Sequence, residues 1–192
     1  MNAIEEFEVN GLNVKIYPDE NPVNPRVDWD NDDVMVCFHR RYQLGDAKGT
    51  KHDYSSKDFN GWDELEDQIC KDNDVLEILP IYMLDHSGIT ISTTDFNDRW
   101  DSGQVGFIFI TKEEARKSHM VKKLSKKVKE QVHKNLLCSI EVYDQYISNE
   151  IYGHVIEDKD GNVIESSWGY FGLKDAIEEA KSIANHSKAK VA

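Results

Sequence analysis

Proline is scarce and clustered. Of four prolines, three (Pro18, Pro22 and Pro25) fall in one stretch, which predicts a single extended, helix-free segment reaching to about Asp33. No apolar run approaches the ~20 residues a membrane helix needs. The start, Met1-Asn-Ala-Ile-Glu-Glu, has neither the basic nor the apolar region of a signal peptide. Cys37, Cys70 and Cys138 are far apart and form no Cys-x-x-Cys pair, so neither a disulfide scaffold nor a zinc ribbon fits. Reduced, mostly buried thiols in a cytosolic protein are expected. Phosphate loop, dinucleotide fingerprint and Gly-x-Ser-x-Gly elbow are all missing. Asp28-Trp-Asp30-Asn-Asp32-Asp33 begins like a calcium loop, yet its sixth position is Asp33 instead of Gly and its twelfth is His39 instead of Glu.

What is present is a chain of 192 residues, 39% hydrophobic with four Trp, enough to bury a core as one domain over 1–192. The formal net charge is -13, and its distribution matters more than its size. Between Lys112 and Lys134 nine basic residues face three acids, a local +6, which leaves -19 on the remainder. An acidic body repels nucleic acid and attracts the basic grooves that hold it. The same charge also serves plain solubility.

Asn10-Gly11 between Phe7–Val9 and Leu12–Tyr17 predicts an N-terminal hairpin. Val34–His39, Leu76–Leu84, Ile89–Thr93 and Val105–Ile110 predict strands, and Gly61–Lys71 a short helix with Trp62, Leu65 and Ile69 on one side. Thr111-Lys-Glu-Glu114 is a capping box. It opens a helical segment over 112–149, broken near His119, that projects from the domain. The apolar stripe of this segment runs through Leu124, Val128, Val132, Leu136 or Asn135, Ser139, Val142 and Tyr146. A second hairpin, Ile151–Glu157 and Val163–Trp168 about Asp158-Lys-Asp-Gly161, precedes a helix at Leu173–Asn185 and a frayed tail from Ser187 to Ala192. The class is α+β: a mainly antiparallel sheet built from hairpins, a long basic helix and a C-terminal helix.

Chemistry concentrates between Leu84 and Gly106. Asp85-His86-Ser87-Gly88 brings together an acceptor, an acid–base group and a hydroxyl, the ingredients of nucleophilic catalysis. The same four residues also make an ordinary strand turn. Trp100-Asp101-Ser102-Gly103-Gln104 offers an aromatic wall, a carboxylate and an amide to the same pocket, or a core plug with a turn cap. Arg40 and Arg41 end a strand, where they suit phosphate or carboxylate or internal ion pairs to Asp. Tyr143 and Asp144 lie near a helix end, with Tyr143 placed to pack and Asp144 to reach the polar loop. Lys122, Lys123, Lys126 and Lys127 could contact nucleic acid, although no aromatic residue is interleaved with them and a solvated helix face is the plainer reading. No metal or cofactor is required. A nuclease would use magnesium, held through water by Asp85, Asp95, Asp98 and Asp101. The catalytic set for an enzyme is Asp85, His86, Ser87 and Asp101. The binding set is Arg40, Arg41, Trp100, Ser102, Gln104, Tyr143 and Asp144.

His39-Arg-Arg-Tyr-Gln-Leu-Gly-Asp46, Leu84-Asp-His-Ser-Gly-Ile-Thr-Ile-Ser92, Trp100-Asp-Ser-Gly-Gln-Val-Gly-Phe-Ile108, Val142-Tyr-Asp-Gln-Tyr146 and Ser167-Trp-Gly-Tyr-Phe-Gly172 together resemble a family of small proteins of phages, prophages and other mobile elements. The resemblance spans about Val34 to Gly172 and assigns no catalytic residue. The family pattern often has Ser-x-Phe-Ser-Cys-Pro before Trp-Asp-Ser-Gly, where this chain has Thr94-Asp-Phe-Asn-Asp-Arg99. Small acidic proteins of mobile elements are often counter-defence factors. With the charge of the body, the resemblance implies an inhibitor of a nucleic-acid-targeting host defence system, anti-CRISPR-like or antirestriction. Its partner would be a host defence protein or ribonucleoprotein in the bacterial cytoplasm. An enzyme acting on nucleic acid or nucleotides through His86, and a non-catalytic phage accessory protein, are the alternatives.

Overall fold

The computed structural model describes residues 2–187. The tail expected from Ser187 onward falls outside the described residues after Ser187 itself. The fold is α+β, with eight strands in two antiparallel four-stranded sheets and four α-helices among the described residues. Where the sequence reads as one domain, the chain divides into two compact units, Pro25–Asp144 and the pair of segments Met1–Asn24 and Gln145–Ala192.

In the discontinuous unit, β1 (Glu5–Val9) and β2 (Leu12–Pro18) form the expected hairpin, with Asn10 and Gly11 both at positive φ. β2 pairs with β7 (Ile151–Glu157), and β7 with β8 (Val163–Phe171), in the order β1-β2-β7-β8. Helix α4 (Leu173–Ser187) covers one face through Ala176, Ala180 and Ala184, which are spaced by four and packed on Val14, Ile16 and Ile156. Small side chains let the helix sit close to the sheet. On β7, Gly153 admits the Trp168 ring, because a Cβ there would lie 2.2 Å from it.

His154 is fully buried in this unit, stacked on Tyr170 at 5.3 Å, and neither ring nitrogen has a hydrogen-bond partner among the described residues. Burial holds its pKa below the usual imidazole value, against the opposing pull of Glu165 and Glu179. The unfolded chain therefore binds more protons than the fold once the pH drops below about 6.5. Stability is at its full value above that pH and falls as acidification approaches the folded pKa. Chemical denaturation between pH 7.5 and 5 should show this loss, and His154→Phe should flatten it. An equally steep loss in the variant would clear His154 of responsibility.

In the Pro25–Asp144 unit the strand order is β3-β6-β4-β5, with β3 at Val34–Cys37, β4 at Val75–Asp85, β5 at Ile89–Ser92 and β6 at Ser102–Thr111. Every residue of β6 from Val105 to Ile110 is buried, so both faces of the sheet are covered. Phe107 and Phe109 pack with Val36 against Leu65 and Ile69 of α1 (Trp62–Asp72). The opposite face carries Ile108 and Ile110, and there Val132 and Leu136 of α3 (Lys126–Ile147) line a cleft with Ile110. Strands β3 and β6 approach so closely at Gly106 that a Cβ would lie 1.9 Å from the Val36 carbonyl oxygen.

The 112–149 segment is two helices. α2 (Lys112–Ser118) is capped by Thr111, whose Oγ1 accepts the Glu114 N–H at 3.1 Å. The helix stops at His119, and α3 resumes at Lys126. Buried positions on α3 are Val132, Leu136, Ile140 and Tyr143, so its stripe drifts off the one read through Ser139, Val142 and Tyr146. Side chains also tie α3 down. Ser139 donates to Asp33 at 2.7 Å, and the Asp144 carboxylate accepts from Thr90 Oγ1 and the Ile91 N–H at 2.8 and 2.7 Å.

A buried ionic knot closes this unit. Arg26 donates through Nε and Nη2 to both oxygens of Asp46, at 3.0 and 2.7 Å, and through Nη1 to Asp33 at 2.6 Å. Asp46 also accepts the Met35 N–H at 2.8 Å.

Candidate functional site

Strand β4 ends at Asp85, and the turn His86-Ser87-Gly88, with Ser87 and Gly88 at positive φ, returns the chain as β5. The connection from β5 to β6 folds on its own carboxylates. Asp95 accepts the Asn97 N–H, and Asp98 accepts the N–H groups of Trp100 and Asp101 at 2.8 and 2.9 Å. Those two donors hold the Asp98 carboxyl below its ordinary pKa. The loops meet, since the Asp85 N–H donates to the Asp101 carbonyl at 2.8 Å and His86 Nδ1 lies 2.9 Å from Asp101 Oδ2. They meet at the end of the central pair β4–β6, inside the sheet order and not on an outer strand.

A cleft of about 220 Å³ lies here, lined by Asp85 and Met83 of β4, by Trp100 through Val105, and by His39, Arg40 and Arg41 beyond β3. Asp85, Asp101, Arg40, Arg41, Trp100, Ser102 and Gln104 are thus brought together. Ser102 and Gln104 stand on β6, paired with Leu84 and Tyr82, and not in a loop. His86 and Ser87 are exposed and do not line the cleft. Tyr143 and Asp144 are elsewhere. Tyr143 is buried, and its hydroxyl accepts the Gly45 N–H at 3.0 Å, while Asp144 holds β5.

The charges in the cleft are largely committed. Arg41 pairs with Asp85, which also accepts from the Tyr42 hydroxyl at 3.3 Å. The hydrogen bond to Asp101, then its charge, raises the His86 pKa. The Ser87 hydroxyl makes no hydrogen bond among the described residues. Trp100 is 94% exposed and neither plugs the core nor walls an enclosed pocket.

His39 is the cleft residue that sequence reasoning passes over. Its Nδ1 accepts the backbone N–H groups of Arg41 and Tyr42 at 3.4 and 3.3 Å, and its ring stacks on Tyr42 at 5.1 Å. Burial, and then Arg41, lower its pKa against the pull of Asp85. A neutral ring with Nδ1 accepting carries its proton on Nε2. A His two and three residues before the N–H groups that close a strand-end turn is the signal that could have found it.

No group of three or more His, Cys, Asp or Glu side chains among the described residues is arranged to hold a metal ion. The thiols are free; Cys37 is half-buried while Cys70 and Cys138 are exposed, contrary to the expected burial. Burial pushes the Cys37 thiol up to about 12.

Outside the cleft the surface is strongly charged. α1 turns Asp63, Glu64 and Asp67 outward with Glu66 half-exposed beside them, and none of the four is in an ion pair among the described residues. Asp30 and Asp32 are exposed as well and make no ion pair among the described residues, although the charge of both acts on Lys117. Lys122, Lys123, Lys126 and Lys127 are exposed, and Lys126 approaches Glu130 at 3.8 Å. No protein-family model, curated protein or solved structure matches the chain. No helix among the described residues is long and apolar enough to cross a membrane.

Proposed function

We propose that this is a non-catalytic binding protein of a mobile element that inhibits a host nucleic-acid-targeting defence nuclease, as an anti-CRISPR or antirestriction protein does, in the bacterial cytoplasm. It occupies the basic groove that would hold the nucleic acid. The observation that carries this reading is the run of four carboxylates on α1, Asp63, Glu64, Glu66 and Asp67, which make no ion pair among the described residues, Glu64 being held only by Asn60. An acidic face left uncompensated suits a basic partner and steers its approach. The idle Ser87 hydroxyl supports binding over catalysis.

The expected result is a complex with the nuclease that weakens steeply between low and high salt, because counterions compete for the groove. Capture of the nuclease from host lysate at two salt concentrations, with cleavage assayed alongside, measures this. Binding indifferent to salt would count against mimicry.

The His86–Asp101 contact at 2.9 Å favours a second reading, a nuclease or other hydrolase with His86 as its acid–base group. There, His86→Ala should lower turnover about a hundredfold or more. RNA and DNA, single- and double-stranded, incubated with and without magnesium, are the substrates to try. Inhibition that persists in His86→Ala supports the binding reading, and cleavage that persists removes this histidine from any mechanism.

A further inference from the structure

We propose that the cleft at the ends of β4 and β6 is a binding site for a nucleoside 5′-monophosphate, with the phosphate on Arg40 and the base on Trp100. The cleft combines one unspent cation, one oriented neutral donor and one bare aromatic face. Arg41 is consumed by Asp85, whereas Arg40 is exposed and makes no ion pair or hydrogen bond among the described residues. A free guanidinium fork fits phosphate oxygens. His39 lines the same cleft with Nδ1 occupied by two backbone N–H groups, so Nε2–H is left to donate.

Trp100 is held by its backbone and free in its side chain. Its N–H is fixed to Asp98, and its indole stands 94% exposed at the cleft. Any base can stack on such a ring, because every base has a π-face. Gln104 directs its amide nitrogen to the Gly106 carbonyl at 3.3 Å, which leaves its carbonyl oxygen as an acceptor for a base edge. Gly103, which also lines the cleft, is open, with no atom beyond its chain neighbours within 4 Å of where its Cβ would be.

The carboxylates of the cleft do not forbid an anion. Asp85 is compensated by Arg41 and Asp101 is bonded to His86. The volume of about 220 Å³ sets the size of the ligand. It is below the ~300 Å³ at which pockets that enclose drug-sized ligands begin, so it excludes a dinucleotide cofactor, and a nucleoside monophosphate would seat its phosphate in the cleft with its base outside, against the exposed Trp100.

The test uses the full chain, titrated with AMP, GMP, CMP and UMP, with adenosine and with inorganic phosphate, followed by calorimetry and tryptophan emission. Nucleotide binding should quench emission in the wild type. Arg40→Gln and Trp100→Ala should each weaken it about tenfold or more, and Lys174→Gln, at an exposed position of α4, should leave it unchanged. Both altered side chains are exposed, and far-UV circular dichroism confirms that each variant is folded. Adenosine or phosphate binding as tightly as AMP would overturn the proposal. So would AMP affinity unchanged by both substitutions, or no binding at millimolar nucleotide.

Discussion

Arg26→Ala should destabilise the Pro25–Asp144 unit by about 3–5 kcal/mol, the scale for removing one partner from a buried ion pair. The Arg26 side chain is 1% exposed, between Asp46 at 1% and Asp33 at 10%. Removing the guanidinium leaves two carboxylates without their cation, Asp46 where water does not reach and Asp33 nearly so. The cost is concentrated because the acids are already committed to other bonds, Asp46 to the Met35 N–H and Asp33 to the Ser139 hydroxyl. They cannot swing outward without breaking the start of β3 or the tie to α3. Arg26→Lys should recover part of the loss, since a single ammonium replaces the charge but not the paired bonds to Asp46. Urea denaturation monitored by tryptophan emission reads this as a lower midpoint at unchanged slope. A loss below about 1 kcal/mol would show that the knot is better solvated than its geometry says.

Reversing three charges on α1, with Asp63→Lys, Glu66→Lys and Asp67→Lys together, should weaken the inhibitory complex at least about a hundredfold, or ~2.7 kcal/mol. Each lysine both deletes an attraction and adds a repulsion against a basic groove, and like-charge juxtaposition across an interface costs several kcal/mol. The fold should tolerate the change. α1 is anchored by Leu65 and Ile69, which remain, and lysine in the first turn opposes the helix dipole by only about 0.3–1 kcal/mol. A nuclease inhibition curve is the measurement. Full inhibition by the triple variant would move the docking face away from α1. Reversal at Asp30 and Asp32 would then be the next comparison.

The elements were legible wherever period and punctuation agree. Asn10-Gly11, Asp158-Lys-Asp-Gly161 and the Thr111 cap all stand where their local chemistry puts them. The meeting of Asp85–Ser87 with Trp100–Gln104 was also readable, because both motifs abut strands whose apolar runs had to pair. Periodicity failed on α3, where spacing by four and then three selects Ile140 and Tyr143 over Ser139 and Val142. It failed again at Ser102–Gln104, polar residues that extend β6 because strand pairing acts through the backbone. Arg26 was invisible for a different reason. It lies in a proline-rich loop with no period, and its partners come from Asp33 and Asp46, which only the folded chain brings together.

The sheet pairing of β2 with β7 has a consequence for synthesis. Val14 pairs with Ile156 across the whole of the other unit. During translation at roughly 5–20 residues per second, the N-terminal hairpin must wait many seconds for its partner strand. The residues from Pro25 to Asp144 are complete before β7 exists. The nascent chain therefore carries an open strand edge on β2 throughout that interval, with Val14 and Ile16 exposed. That edge is where a ribosome-associated chaperone would be needed most.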